Sequence, residues 1–180
     1  MTHQRRRVGL VFAATAALLT GASGMTNAAA AGRTLAAAAA DGSYFKVIHK
    51  SGMCLDVNGA SVTDGAILQL YTCNDGDGQK WTSVPNSDGT HTLLNKKSGK
   101  CLDVSNGSTQ DNAQIWQWPC NGGSAQRWKA LPAGLGWNQL QAQVSGKCLS
   151  PKAGATARRT PAVQFTCNGS TSQHWQFTAV

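Results

Sequence analysis

The chain has 180 residues, enough for one domain of ordinary size, which argues against a large multidomain enzyme. Charged residues make up only 13%, every acid is Asp and 20 residues are Gly, so a helix-rich or disordered domain is not expected either. The formal net charge of +8 falls to +4 over residues 41–180, where 12 Lys and Arg face 8 Asp. We therefore expect no nucleic-acid partner.

The N-terminal 40 residues have the order of a secretory signal. Three arginines at 5–7 precede an apolar run over 8–19, and small residues follow around 27–31. This apolar run is too short to span a bilayer, so membrane insertion is not expected. The pattern predicts a secretory signal peptide over residues 1–31 and an Ala-rich linker over 32–40. General secretion is favoured over a twin-arginine route, and either leads out of the cytoplasm.

Residues 41–180 form a threefold repeat. Cysteines and a Gln-x-Trp motif recur at a step of 47 residues, and three such steps match the 140 residues of this segment. A period of about 20 to 50 residues indicates a repeat architecture. The repeats cover about 41–86, 87–133 and 134–180. Their phased residues are Cys54, Cys101 and Cys148, then Cys73, Cys120 and Cys167, then Trp81, Trp128 and Trp175.

Each repeat contains four short apolar or alternating stretches, separated by turn signals such as Asn-Gly and Asp-Gly. In the first repeat they are residues 44–48, 53–57, 67–72 and 80–84. They predict twelve short β-strands in three equal sets. Three units are too few for an open solenoid without capping repeats, whereas a closed barrel leaves no exposed edges. An all-β domain with threefold closure is therefore predicted.

The two cysteines of each repeat lie too far apart for a Cys-x-x-Cys metal site. Pairing them within the repeat keeps each bridge local and treats the three repeats alike. Each bridge would stabilise the fold by about 3 kcal/mol in the chain-entropy model. With all six cysteines paired, no thiol is left for nucleophilic catalysis. The predicted bridges are Cys54–Cys73, Cys101–Cys120 and Cys148–Cys167.

Several segments resemble the ricin B-type lectin family. They are the three Gln-x-Trp motifs, the Cys-Leu-Asp-Val segments at 54–57 and 101–104, and the aromatic-x-Cys segments at 71–73 and 118–120. The resemblance covers residues 41–180 and implies a β-trefoil of three 47-residue repeats with one disulfide per repeat. It also implies sugar binding in shallow pockets, up to one per repeat, with no metal, cofactor or catalysis.

The resemblance places sugar-binding residues in the first two repeats. A pyranose needs an aromatic plane under its C–H face and fixed polar groups around its hydroxyls. Asp56 and Asp103 stand where the family has a carboxylate that accepts hydrogen bonds from sugar hydroxyls, and we expect them to be surface acceptors. Tyr71 and Trp118 stand at the stacking position. The polar rim comprises Gln69, Asn74 and Gln79 in the first repeat, and Asn121 and Gln126 in the second.

Other positions depart from the family pattern. Gly78 and Ala125 replace an Asn that often precedes the Gln of Gln-x-Trp, which puts one hydrogen bond of each site in doubt. Trp116 occupies the place of Gln69, where it either enlarges the aromatic wall or packs into the barrel. In the third repeat Ser150 replaces the carboxylate and Phe165 the Tyr or Trp, so we expect a degenerate site.

Structural interpretations compete at several of these residues. Asp56 and Asp103 each precede a turn signal, so the alternative to a binding role is that they are simple turn residues. The Gln-x-Trp tryptophans are predicted in the core, and their glutamines bond the backbone as readily as a ligand. Trp137 is predicted to be a loop or packing residue, and His174 an exposed residue without a catalytic role. Arg158 and Arg159 are predicted to lie in a solvated loop, with binding of an anionic partner as the alternative.

We therefore expect a secreted, monomeric lectin or carbohydrate-binding module that recognises galactose-type or xylan-type sugars. An enzyme is not expected, because a glycosidase needs two carboxylates at one bond, whereas the two best aspartates lie in different repeats. The alternative is a secreted β-trefoil inhibitor or interaction protein that binds another protein through its loops.

Overall fold

The computed structural model describes residues 43–180, so the predicted signal peptide and linker lie outside the described residues. Twelve β-strands and six 3-10 turns account for the secondary structure of this range. The strands are β1 Phe45–His49, β2 Cys54–Val57, β3 Leu68–Tyr71, β4 Lys80–Pro85, β5 His91–Asn95, β6 Cys101–Val104, β7 Ile115–Trp118, β8 Trp128–Pro132, β9 Asn138–Ala142, β10 Cys148–Pro151, β11 Ala162–Phe165 and β12 Trp175–Ala179. The turns are Asn58–Ala60, Asp77–Gln79, Ser105–Gly107, Ser124–Gln126, Lys152–Gly154 and Thr171–Gln173.

The prediction of an all-β domain with four strands per repeat is confirmed. Each predicted strand of the first repeat overlaps an observed one, and no end differs by more than one residue. No α-helix occurs between residues 43 and 180, and nothing in that range has the length and apolar character of a membrane-spanning helix.

Six strands close into a barrel. β1 pairs with β4, β4 with β5, β5 with β8, β8 with β9, β9 with β12 and β12 with β1, all antiparallel. The other six strands form the hairpins β2–β3, β6–β7 and β10–β11. Bridges between these hairpins join them around one end of the barrel, for example Ile67 with Trp116 and Gln114 with Val163. This arrangement is a β-trefoil, as predicted.

The core lies where the three repeats meet. Alternate residues of the barrel strands point inwards, as in β1, where Phe45 and Val47 are fully buried. The three Gln-x-Trp tryptophans are fully buried, which confirms the prediction that they belong to the core. Each indole N–H donates to the carbonyl of the Leu that follows the first cysteine of its repeat, at 3.0 to 3.4 Å. Buried tryptophans with a hydrogen-bond partner therefore fasten each hairpin to the barrel.

One disulfide bridge closes each hairpin. It joins the first residue of the hairpin's first strand to the residue two positions after its second strand. The bridges are Cys54–Cys73, Cys101–Cys120 and Cys148–Cys167, with Cα atoms 5.0, 5.1 and 5.0 Å apart. The structure thus contains the three local bridges predicted from the repeat.

Candidate functional site

Three cavities open at equivalent places, between each hairpin and the loop that follows its disulfide. The first cavity has a volume of about 540 Å³, the second about 230 Å³ and the third about 290 Å³. The structure brings most of the predicted site residues together around two of them. Asp56, Gln69, Tyr71 and Asn74 line the first cavity, and Asp103, Trp116, Trp118 and Asn121 line the second.

In the first cavity, the hairpin register positions the carboxylate. Asp56 on β2 lies directly opposite Gln69 on β3, and the Gln69 amide donates to Asp56 Oδ2 at 2.9 Å. Asp56 is only 7% exposed, so the expectation of a surface acceptor is wrong in this respect. Burial raises the pKa of Asp56 above its ordinary value, and hydrogen bonds from Gln69 and Gln79 oppose that rise. The carboxylate is therefore rigidly oriented and poorly solvated before any ligand arrives.

In the second cavity, a tryptophan replaces the glutamine donor. The Trp116 indole N–H donates to Asp103 Oδ1 at 2.6 Å, and the Gln126 amide donates to Oδ2 at 2.8 Å. Burial raises the pKa of Asp103 as well, because the residue is only 4% exposed. The Trp116 ring also stacks on Trp118, with centroids 5.0 Å apart. Of the two interpretations of Trp116, the structure shows the enlarged aromatic wall.

The glutamines of the Gln-x-Trp motifs face the protein. Gln79 accepts from the Asn74 backbone N–H at 2.8 Å and donates to the Thr72 carbonyl at 3.0 Å. Gln126 makes the same two bonds within its repeat, and so does Gln173 in the third repeat, where the carboxylate is missing. All three side chains are at most 1% exposed. They brace the loop that follows each disulfide, whether or not the repeat has an aspartate.

Asn74 and Asn121 supply exposed amides at the cavity rims. The Oδ1 atom of Asn74 accepts from the Gly76 N–H at 2.8 Å, and that of Asn121 accepts from the Gly123 N–H at 2.8 Å. These bonds fix the amide planes. Within residues 43–180 the NH₂ group of neither side chain has a protein acceptor, so both groups can donate to a ligand.

The aromatic residues stand at the ends of the second hairpin strands. Trp118 and Phe165 are each 37% exposed, and Tyr71 is partly exposed. In the third repeat Ser150 is buried and its hydroxyl donates to the Pro151 carbonyl at 3.1 Å. The third cavity therefore offers an aromatic ring but no carboxylate.

The departure at Gly78 has a steric cause. A Cβ atom at this position would lie 3.0 Å from the Cβ of Ala60, a contact so close that the Asn of the family pattern would fit there only if Ala60 shifted. The second repeat has a Gly at the position of Ala60, namely Gly107, and it accommodates Ala125. The hydrogen bond that this Asn would add is absent from both sites.

Two further residues differ from, or refine, the expectations. His174 is partly buried, although an exposed residue was predicted. Trp137 packs under the Lys50 ammonium group, whose nitrogen lies 4.2 Å from the ring centroid, as expected of a packing residue. Within residues 43–180, no group of His, Cys or Asp side chains is arranged to hold a metal ion.

Sequence reasoning missed the contribution of the third repeat to the first cavity. Arg159 lines this cavity, and the Arg158 guanidinium lies 5.0 Å from the centroid of the Tyr71 ring. Alignment of the three repeats could have revealed this contribution, because the Arg-Arg pair stands where the other repeats have Asp64-Gly65 and Asp111-Asn112. The closed barrel places this loop of one repeat against the hairpin of the next.

Comparison with known proteins agrees with this geometry. A family model described as the ricin-type β-trefoil lectin domain matches residues 43–175. The designed threefold symmetric protein ThreeFoil is 36% identical, with a TM-score of 0.75 over 76% of this chain and 99% of that one. An exo-β-1,3-galactanase from Clostridium thermocellum is 32% identical, with a TM-score of 0.75 over 77% of this chain but only 30% of the enzyme. The Rhizoctonia solani agglutinin, 22% identical, shares the fold with a TM-score of 0.70 over 77% of this chain and 96% of the agglutinin.

Proposed function

Because the chain belongs to the ricin-type β-trefoil lectin family, we propose that it is a secreted carbohydrate-binding protein whose first and second cavities each hold one sugar unit. The observation that carries this proposal is a preoriented carboxylate beside an aromatic ring and a rim amide, present twice. Asp56 and Asp103 accept hydrogen bonds from neighbouring hydroxyls, in a charge-assisted way.

The remaining side chains divide into contact and positioning residues. Tyr71 and Trp118 stack on the C–H face of the sugar, and the amides of Asn74 and Asn121 donate to its hydroxyl or ring oxygens. Gln69 holds Asp56 in place. Gln79 and Gln126, predicted as part of the polar rim, act from behind the site on the loop and the carboxylate, since both are buried.

Galactose-type or xylan-type sugars are the proposed ligands. The match to part of an exo-β-1,3-galactanase supports the galactose type. Three disulfide bridges favour an oxidising, extracellular location, in agreement with the predicted signal peptide, and we propose a monomer. No catalytic step is assigned, because each of the first two cavities is lined by a single carboxylate and glycoside hydrolysis by the common mechanisms uses two.

Binding to an insoluble galactan and an insoluble xylan tests the proposal. Asp56→Ala and Asp103→Ala should each weaken binding, and the double variant should abolish it. Since linking two weak sites raises apparent affinity by about 10² or more when a ligand spans both, each single loss should be large on polymer and modest on monosaccharide. Ser150→Ala is the matched control and should bind as the wild type does. Thermal unfolding verifies that each variant is folded.

Retention of polymer by the double variant would overturn the proposal. Binding to a protein partner that free sugar does not displace would instead favour the interaction protein. If one single variant binds polymer like the wild type, only one cavity operates.

A further inference from the structure

The loops that precede β3, β7 and β11 each cross to the neighbouring repeat. The backbone N–H groups of Gly65, Asn112 and Arg159 donate to carbonyls of the next hairpin at 2.9, 2.8 and 2.7 Å. The three residues are equivalent at the 47-residue step. The first repeat's loop therefore borders the second cavity, and the third repeat's loop borders the first.

Charge is arranged differently at the third of these crossings. Asp64 pairs with Lys100 at 2.7 Å, and its equivalent Asp111 pairs with Lys147 at 2.8 Å. At the third crossing the acid is replaced by Arg158, and the lysine position is Met53. The ion pair is thus lost and the sign of the loop charge is reversed.

The two arginines have no acidic partner in the described part of the chain. The other five aspartates of residues 43–180, apart from the two in the cavities, are all paired with Lys or with Arg127. Neither Arg158 nor Arg159 has a carboxylate within 4.0 Å among these residues. Two unpaired guanidinium groups therefore stand at the mouth of the first cavity.

The backbone at the third crossing is also strained, because Arg159 is one of the non-glycine residues with a positive φ. The φ angle is 73° at Gly65, 64° at Asn112 and 70° at Arg159. Glycine and asparagine tolerate this left-handed conformation, whereas arginine does so at a cost. Strained non-glycine residues concentrate at binding sites, where the surrounding structure holds them in place. Here the bond from the Arg159 N–H to the Leu70 carbonyl holds the strained arginine at the cavity wall.

These observations deepen the proposed function of the first cavity and depend on it. We propose that the first cavity selects a sugar unit that carries a negative charge, namely a uronic acid, while the second cavity takes a neutral unit. Asp56 binds hydroxyls of this unit, and Arg159 binds its carboxylate through the planar guanidinium fork. Arg158 leaves the face of Tyr71 to pair with the same carboxylate, and the ring is then open for stacking.

Matched pairs of acidic and neutral sugars test this selection. The Asp103→Ala variant leaves only the first cavity, and the methyl glycosides of galacturonic acid, galactose, glucuronic acid and glucose are titrated at low salt. In at least one pair the acid should bind about tenfold tighter than its neutral parent, as expected for one charge-assisted interaction. This ratio should fall as salt is added.

Variants of the loop identify the groups responsible. Adding Arg159→Asn, which places the residue of Asn112 at a compatible φ, should reduce the ratio of acid to neutral affinity to about one. Arg158→Asp, which restores the charge of Asp64 and Asp111, should lower the affinity for the acid. Lys129→Gln is the control, because it removes an exposed positive charge on β8 and should leave the ratio unchanged.

The outcomes separate this inference from the proposed function. Equal affinity for acid and neutral sugar, or a preference that survives Arg159→Asn, would overturn the inference and leave sugar binding intact. Tighter binding of galactose 6-sulfate than of galacturonic acid would overturn the assignment of a uronic acid. If Asp103→Ala binds no sugar at all, the first cavity is not a sugar site and both proposals for it fail.

Discussion

The first and second cavities show that two different sites can be built on the same backbone arrangement. We call this arrangement the frame of a repeat: the disulfide-closed hairpin together with the Gln-x-Trp segment that packs against it. Both are built from a disulfide-closed hairpin with an aspartate on its first strand and an aromatic residue at the end of its second. In the first cavity Gln69 steadies the carboxylate and two arginines stand at the mouth. In the second cavity Trp116 steadies the carboxylate of Asp103. The loop from the neighbouring repeat carries no unpaired charge there, because Asp64 pairs with Lys100. Side chains on the facing strand and the adjoining loop thus make the two cavities chemically different, and under our proposals they decide what each cavity binds.

The third repeat has the same frame as the other two but lacks the carboxylate of their sites. Its glutamine, tryptophan and disulfide make the same contacts as their equivalents, although Ser150 replaces the carboxylate. All three repeats contribute strands to the closed barrel, whereas the proposed binding uses only the two repeats that keep the aspartate.

Removing single disulfide bridges should have the largest effect and tests whether the frames are equal. Cys54→Ser with Cys73→Ser, and separately Cys101→Ser with Cys120→Ser, should each lower the free energy of unfolding by about 3 kcal/mol, because the two bridges close loops of the same length. Urea denaturation measures both values. A loss confined to one pair would show that the two frames do not contribute alike.

Trp116→Phe should produce the next largest effect and tests how the carboxylates are held. The change keeps a ring beside Trp118 but removes the 2.6 Å hydrogen bond to Asp103. In an Asp56→Ala background, where only the second cavity remains, we expect sugar affinity to fall about tenfold, the usual worth of a hydrogen bond to a charged group. Titration calorimetry measures this loss.

Gln69→Leu in an Asp103→Ala background is the matched change in the first cavity and should cost a similar factor. If neither substitution alters affinity, the hydrogen bonds to the two carboxylates do not position them for ligand.

A smaller effect concerns pH and compares His49 of β1 with Asn95, its equivalent on β5. Each side chain bonds the carbonyl of the residue before a Gln-x-Trp glutamine, His49 to Ser172 at 3.1 Å and Asn95 to Gly78 at 3.0 Å. Burial lowers the pKa of His49 from its ordinary 6.5, so the unfolded chain takes up this proton first as pH falls. The free energy of unfolding should therefore be highest above pH 6.5, where His49 is neutral in both states, and should decline below that pH.

His49→Asn keeps a group able to donate to Ser172 and removes the titration. We expect a shallower decline in the free energy of unfolding between about pH 7.5 and 5.5, with the remaining slope due to His91, whose pKa burial also lowers. Denaturation at a series of pH values measures the slope. An unchanged slope would show that His49 is not its source.

The sequence by itself determined the frame of this protein. The step of 47 residues, the phased cysteines and the Gln-x-Trp motifs were sufficient for the β-trefoil, the three bridges and the buried tryptophans. Asp56, Tyr71, Asp103 and Trp118 were identified as site residues through the resemblance of these phased segments to the ricin B-type lectin family. These features are local or periodic, so a pattern along the chain contains them.

Only the tertiary structure decided which side chains meet across strands and between repeats. Gln79 and Gln126 face inwards, Trp116 bonds Asp103, and Arg159 reaches the first cavity from the other end of the domain sequence. The last contact joins residues of the first and third repeats, which are far apart along the chain. It exists because β12 pairs with β1 and closes the barrel. The residue types of the Arg158-Arg159 loop do not reveal which hairpin this loop will contact, because that depends on the closure.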